Sequence, residues 1–146
     1  MGCCSSVILD LKLKKYTDEV KPFKYNFTRV KCTAVHDGDT CHVVGIRNGE
    51  EMRVNIRLHG IDAPELKSDN PEEKKAAVFA RDHLSSRILN KLLTIQFKGP
   101  DKYYGRELAI LSDSKGEINK WMLTTRCAVP YDGGKKLPFD KNNFTS

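Results

Sequence analysis

The chain has 146 residues, of which 39% are hydrophobic and 30% are charged, and this length and composition predict one compact, soluble globular domain. No apolar run approaches the roughly 18 to 20 residues that a helix needs to cross a bilayer. The net charge of +6 favours an anionic partner, such as nucleic acid, a phosphorylated ligand or a membrane surface.

The amino terminus, MGCCSS, matches the M-G-x-x-x-[ST] pattern of N-myristoylation at Gly2. Cys3 and Cys4 are adjacent candidates for S-palmitoylation, and the lysines that follow would be attracted to anionic lipid head groups. One myristoyl chain binds a membrane only marginally, so stable anchoring needs a second signal of one of these kinds. We expect residues 1 to 24 to form a lipid-anchored basic tail; the alternative is a solvated tail with a chance glycine.

The cysteines indicate where the protein resides. There are five, an odd number, and no secretory signal precedes them, which argues against a disulfide framework and for a reducing compartment. We therefore expect reduced, partly buried thiols at Cys32, Cys41 and Cys127. The expected location is intracellular, at a membrane if the tail is acylated and cytoplasmic if it is not.

Strand-like segments dominate the first half of the chain. Residues 26 to 35 are rich in β-branched side chains, which favours a strand. Residues 40 to 47 and 51 to 58 flank the dipeptide Asn48-Gly49, the strongest short signal for a hairpin. These two segments are predicted to pair antiparallel.

The second half begins with a helical pattern. Asn70 can cap a helix whose first residue is Pro71, and apolar residues then recur at helical spacing. Strands are predicted over residues 91 to 98 and 104 to 112, and a short helix over 119 to 125.

Three strands, a helix, two strands and a helix give no regular alternation of strand and helix. We predict an α+β fold: a small five-stranded OB-fold (Greek-key) β-barrel with two attached helices. The domain is expected to span residues 25 to 132, followed by a tail over 133 to 146. No motif reports on oligomeric state, and a monomer is the default expectation.

Three clusters of polar residues could carry chemistry: DGDT at 37 to 40, IRLHGIDAPE at 56 to 65, and YYGR at 103 to 106. Carboxylates gathered from separate loops suit a hard cation such as Ca²⁺. Two arginines can bind phosphate oxygens and stabilise the charge of a phosphodiester transition state, and a glutamate can orient or deprotonate water. Together these residue types indicate a phosphodiesterase.

The order of these motifs resembles the staphylococcal nuclease (thermonuclease-like) family of OB-fold nucleases. DGDT, RLHGIDAPE and YGR followed by a leucine and an alanine occur in the family's order, with a helix between the second and third motifs. The similarity extends from about Arg29 to Tyr131. Three ordered motifs are far more specific than DGDT alone.

By position, the resemblance implies that Arg57 and Arg106 are catalytic arginines and that Glu65 is the general base. It also implies Ca²⁺-dependent hydrolysis of DNA and RNA at the 5′ P–O bond, which leaves 3′-phosphates. Nucleic acid is therefore the expected partner.

The same resemblance implies Ca²⁺ ligands at Asp39 and Asp62, together with the main-chain carbonyl of Ala63. Tyr104 and Tyr131 match positions of expected substrate contact.

The chain departs from the family pattern near its carboxyl end. Arg126 stands where the family has a glycine that ends the second helix, so a retained cap would force a left-handed conformation on arginine. Residues 129 to 146 contain too much glycine and proline to form the family's long carboxy-terminal helix.

Other interpretations of the same residues remain open. Asp37 and Asp39 could form a turn around Gly38, and Arg57 could be a structural ion-pair partner of Asp62. At the level of the whole protein, the alternatives are a non-catalytic nucleic-acid-binding OB module and a membrane-tethered adaptor.

Overall fold

A computed structural model describes residues 23 to 145. The strands are β1 (Arg29–Asp37), β2 (Thr40–Arg47), β3 (Glu50–Leu58), β4 (Ile61–Asp62), β5 (Leu92–Pro100), β6 (Glu107–Asp113), β7 (Gly116–Glu117) and β8 (Val129–Pro130). The helices are α1 (Pro71–Ile88) and α2 (Ile118–Thr124), and a 3₁₀ turn spans Lys141–Asn143. The candidate acylation sites Gly2, Cys3 and Cys4 lie outside the described residues.

The five long strands form a closed barrel. They are ordered β3-β2-β1-β5-β6 with antiparallel neighbours. β6 then pairs in parallel with β3, which closes the sheet and removes its open edges. The predicted five-stranded OB-fold barrel with two attached helices is confirmed.

The β2–β3 hairpin forms at the predicted dipeptide. Arg47 pairs with Glu50, while Asn48 and Gly49 have φ values of 52° and 80°. Positive φ at both turn positions matches the right-handed twist of the two strands. The local sequence thus determines the register of this part of the barrel.

Helix α1 begins at the predicted cap. Asn70 Oδ1 accepts hydrogen bonds from the backbone N–H of Glu72, at 3.0 Å, and of Glu73, at 3.5 Å. The buried face of the helix carries three alanines, a leucine and an isoleucine: Ala76, Ala77, Ala80, Leu84 and Ile88. The small alanines let the helix approach the barrel closely.

The core fills the barrel and the space beneath both helices. Its largest buried side chains include Ile56, Leu58, Leu84 and Leu111. The predicted thiols at Cys32, Cys41 and Cys127 are also buried and form no disulfide.

The strand predicted over residues 104 to 112 begins later, at Glu107. Gly105 has a φ of 83°, which interrupts the extended chain. Tyr104 and Arg106 therefore lie in the loop before β6.

The end of α2 has the predicted left-handed residue. Arg126 has a φ of 57°; its N–H donates to Leu123 O and that of Cys127 to Met122 O, at 3.0 and 2.9 Å. This is the hydrogen-bond pattern of a Schellman cap. As predicted, no long helix follows in the described residues, where the chain beyond Thr124 forms only β8 and the 3₁₀ turn.

Between residues 23 and 145, no helix combines the length and the apolar character required to span a bilayer.

Candidate active site

The DGDT segment forms the tight connection between β1 and β2. Asp37 Oδ1 accepts hydrogen bonds from the Asp39 N–H at 3.3 Å and from the Thr40 hydroxyl. Asp37 thus has the turn-forming role that the sequence left open for it. Asp39 is instead buried, with its carboxylate directed to other segments.

Gly38 permits a close approach that positions Asp39. A Cβ at Gly38 would lie 2.7 Å from Ala63 Cβ and 2.8 Å from Ala80 Cβ, distances that real carbon atoms do not adopt. With no side chain there, the turn packs against both residues. The N–H of Ala63 then donates to Asp39 Oδ2 at 3.0 Å.

Arg57 links the two carboxylates that were predicted to bind a cation. Its Nη1 lies 3.1 Å from Asp39 Oδ2, and its Nη2 lies 2.9 Å from Asp62 Oδ1. Nη2 also donates to Ile61 O at 3.4 Å. Arg57 is only 7% exposed, and its guanidinium is held in a fixed orientation by these three partners.

Burial and neighbouring charge have opposite effects on the pKa values of Asp39 and Arg57. Burial raises the pKa of Asp39 above its usual range, even though Arg57 and the Ala63 N–H act to lower it. Burial alone would lower the pKa of Arg57, but Asp39 and Asp62 outweigh it and the pKa is raised. The arginine is always charged, whereas the charged form of Asp39 would gain from more positive charge nearby.

The seam that closes the barrel brings the two arginines together. Parallel pairing places Arg57 opposite Leu108, two residues after Arg106. Arg106 Nη2 lies 2.6 Å from Asp101 Oδ2, but without the geometry of a hydrogen bond. Arg106 Nε is buried with no hydrogen-bond partner in the described residues, so this arginine keeps donor capacity that its own loop does not use.

Glu65 lies on a loop that Glu73 of helix α1 holds in place. Glu73 Oε1 accepts from the Glu65 N–H at 3.2 Å, and its Oε2 accepts from the Ser68 hydroxyl at 2.6 Å. The Glu65 side chain is 57% exposed. It therefore has access to solvent water, which a general base requires.

These residues meet at one cleft, which we call the central cleft, with a volume of about 470 Å³. It is lined by Asp37, Asp39, Thr40, Arg57, Ala63, Pro64, Glu65, Tyr103, Tyr104, Arg106 and Lys136. Asp62 lines an adjoining cavity of about 820 Å³, the side cavity, which shares Ala63, Pro64, Glu65 and Lys136 with the central cleft.

The two tyrosines expected to contact substrate differ in their surroundings. Tyr104 lines the central cleft and is fully exposed. Tyr131 lines the side cavity, and the Arg57 guanidinium lies 5.5 Å from its ring centroid. Its hydroxyl accepts from Lys102 Nζ at 2.8 Å and donates to Gly134 O at 2.8 Å.

Two charged residues of the site were not singled out from the sequence. Asp101 pairs with Arg106, and Lys136 Nζ lies 2.8 Å from Asp62 Oδ1 and 2.7 Å from Glu65 Oε1. Asp101 could have been suspected as a carboxylate at the start of the arginine-bearing loop. Nothing in the GGKKL segment distinguishes Lys136 from its neighbour.

Comparison with known families tests the resemblance. The model of a family described as staphylococcal nuclease homologue matches residues 55 to 143. The chain belongs to the staphylococcal nuclease homologue family. No curated protein matches the chain. The family match includes Arg57, Glu65 and Arg106 but begins after the turn that carries Asp39.

The staphylococcal nuclease homologue family consists in general of calcium-dependent nucleases, so the donor atoms must be compared with that ion. The candidate ligands Asp39 and Asp62 offer hard oxygen atoms, which Ca²⁺ prefers. Within residues 23 to 145, no three His, Cys, Asp or Glu side chains are grouped as a metal site, so main-chain oxygen and water would have to complete the coordination. The donor chemistry fits calcium, and a cation would offset the burial of Asp39.

Proposed function

We propose that this protein is a Ca²⁺-dependent nuclease that hydrolyses phosphodiester bonds of DNA, RNA or both. The observation that carries the proposal is the convergence of Arg57, Glu65 and Arg106 from three separate segments on the central cleft. Membership of a nuclease family supports the same conclusion.

In the proposed reaction, the Glu65 carboxylate accepts a proton from the water that attacks phosphorus. Arg57 and Arg106 donate hydrogen bonds to the phosphate oxygens and offset the negative charge that accumulates in the transition state. Cleavage of the 5′ P–O bond would leave a 3′-phosphate.

Asp39, Asp62 and the main-chain carbonyl of Ala63 would hold the calcium ion. When bound, the ion would add positive charge beside the scissile phosphate. Tyr104, at the edge of the central cleft, offers an exposed ring for stacking on a base, and Tyr131 is a second substrate contact in this proposal.

A cleavage assay with a conservative variant tests the proposal. The wild-type protein should digest single-stranded DNA and RNA with CaCl₂ but not with EGTA, and the products should carry 3′-phosphates. Glu65→Gln should lower kcat about 10²- to 10⁴-fold. Glu51→Gln, a matched change of an exposed glutamate on β3, should keep full activity.

The main rival is a nucleic-acid-binding module without catalysis. If the wild-type protein bound single-stranded DNA but never cut it with calcium, this alternative would replace the nuclease.

We also propose that acylation of Gly2, with palmitoylation of Cys3 and Cys4, holds the protein at an intracellular membrane. The supporting observation is the MGCCSS sequence followed by lysines, which supplies more than one anchoring signal. In fractionated cells, Gly2→Ala should move the protein from the membrane to the soluble fraction. Unchanged partitioning would contradict the anchor and leave the nuclease proposal intact.

A further inference from the structure

Residues 131 to 145, which we call the C-terminal strap, run from the barrel past the candidate site and back. At the start of the strap, the Tyr131 N–H donates to Gly60 O at 3.0 Å; at its end, the Thr145 N–H donates to Arg126 O at 2.9 Å. Lys141 also pairs with Glu72 of helix α1, at 3.4 Å. The strap is thus attached on both sides of the position that carries Lys136.

Lys136 extends from the strap to two carboxylates of the candidate site. Its Nζ lies 2.8 Å from Asp62 Oδ1 and 2.7 Å from Glu65 Oε1, and its side chain is 35% exposed. The ammonium is therefore a positive charge placed between the two carboxylates.

One cation between two carboxylates is also the arrangement that a divalent metal ion favours. Asp62 Oδ1 already accepts a hydrogen bond from Arg57 and lies 2.8 Å from Lys136 Nζ, so that oxygen has little capacity for a third cation. A metal ion that uses Asp62 must compete with the ammonium for negative charge.

We propose that Lys136 is a built-in counter-cation of the candidate metal site, which a divalent cation displaces from Asp62 and Glu65. Lys136 thereby sets the metal concentration at which the site fills. Displacement also frees Glu65 Oε1 from the ammonium, which lies 2.7 Å away and occupies the side of the oxygen that a water molecule could otherwise approach. This role depends on the metal site of the proposed function.

The exchange requires little rearrangement. The lysine side chain can rotate towards solvent while the strap stays attached at both ends, since its stem is flexible. Removing the charge of the lysine from a half-exposed ion pair of this kind should change metal affinity by roughly five- to tenfold.

Calorimetric titration of the full chain with CaCl₂ alone, at fixed ionic strength and without substrate, tests this role. Lys136→Met should bind Ca²⁺ about five- to tenfold more tightly than the wild type. Lys136→Arg, which keeps the charge, should stay near the wild-type affinity.

Lys135→Met is the matched control, because it removes the same charge from the neighbouring strap residue, for which no ion pair with Asp62 or Glu65 exists in the described residues. It should remain within twofold of the wild type. Lys136→Gln provides a second neutral variant if the methionine variant folds poorly, as judged by thermal melting.

The proposal is overturned if both neutral variants of Lys136 bind Ca²⁺ no more tightly than the wild type. It is also overturned if Lys135→Met gains as much Ca²⁺ affinity as Lys136→Met, or if no variant binds Ca²⁺. Cleavage of single-stranded DNA is measured separately. Tighter binding by Lys136→Met without cleavage by any variant would refute the nuclease but support the counter-cation. Cleavage by the wild type without tighter Ca²⁺ binding by Lys136→Met would support the nuclease but refute the counter-cation.

Discussion

Arg57 Nη1 lies 3.1 Å from Asp39 Oδ2, a contact between residues 18 positions apart in the chain. Both side chains are buried, with 8% and 5% of their surfaces exposed. The contact therefore has two roles: it neutralises a buried carboxylate, and it fixes the guanidinium at the central cleft.

A double-mutant cycle should separate these two roles. Arg57→Met leaves Asp39 buried without its partner, which should lower the free energy of unfolding by about 3–5 kcal/mol. Adding Asp39→Asn removes that unpaired charge and should restore about 2 kcal/mol of stability but no nuclease activity. Urea denaturation in EGTA measures the first effect and DNA cleavage the second.

Additive effects of the two substitutions on the free energy of unfolding would contradict this interpretation of the contact. If the two substitutions destabilised independently, within about 0.5 kcal/mol, the contact would have no energetic importance.

Glu73 should act on catalysis through the loop that carries Glu65. It accepts hydrogen bonds from the Glu65 N–H and the Ser68 hydroxyl, so Glu73→Ala should leave the base poorly oriented. We expect a decrease in kcat of about tenfold with KM nearly unchanged. Glu73→Gln keeps one acceptor oxygen and should recover part of kcat. Steady-state kinetics on single-stranded DNA measure both; equal losses in the two variants would contradict a positioning role.

The elements that the sequence predicted well are those set by local chemistry. Asn48-Gly49 forms the hairpin because both residues adopt positive φ, and Asn70 caps helix α1 because its side chain accepts from the first turn. The ordered motifs also predicted which segments converge, since their residue types match one reaction.

The residues that escaped prediction make long-range contacts. Asn119 is buried in α2, where its amide donates to His59 O and Ala109 O and accepts from the Leu111 N–H. Lys136 reaches Glu65 across 71 positions of sequence. An ordinary asparagine or lysine has no spacing pattern that reveals such contacts, so only the closed barrel and the strap define them.

The pair of Arg87 and Asp113 should make stability depend on pH. Two hydrogen bonds, of 2.8 and 2.7 Å, join the guanidinium to the carboxylate, and chiefly for this reason the pKa of Asp113 falls to about 2. A lowered pKa in the folded state stabilises the fold above the unfolded pKa of about 3.9. That contribution is lost as the pH falls from about 4 towards 2.

The test compares Asp113→Asn with the wild type at several pH values. At pH 7 the variant should be less stable by about 1 kcal/mol, after allowance for solvent screening, and the difference should shrink at pH 3. Asp82→Asn, which removes a more exposed partner of Arg81, should have little effect at either pH. A difference for Asp113→Asn that is independent of pH would show that hydrogen bonding or packing, and not ionisation, is responsible.

Arg126 offers a way to raise stability without touching the central cleft. Its φ of 57° places a side chain in the left-handed region, which disfavours residues other than glycine by about 1–2 kcal/mol. Arg126→Gly removes this strain but also removes the exposed hydrogen bond from its guanidinium to Asn142 O. Because an exposed hydrogen bond contributes less than the strain, we expect a net gain of about 0.5–1 kcal/mol in the free energy of unfolding.

Arg126→Ala separates the two contributions, since it loses the same hydrogen bond but keeps a Cβ in the left-handed conformation. It should be less stable than the wild type, whereas Arg126→Gly should be more stable, by urea denaturation under identical conditions. If both variants lost stability equally, the guanidinium contact with the strap would outweigh the backbone strain. The strap would then hold the end of α2 in place. In that case Arg126→Gly would lower the thermal stability and would also make the end of α2 less ordered.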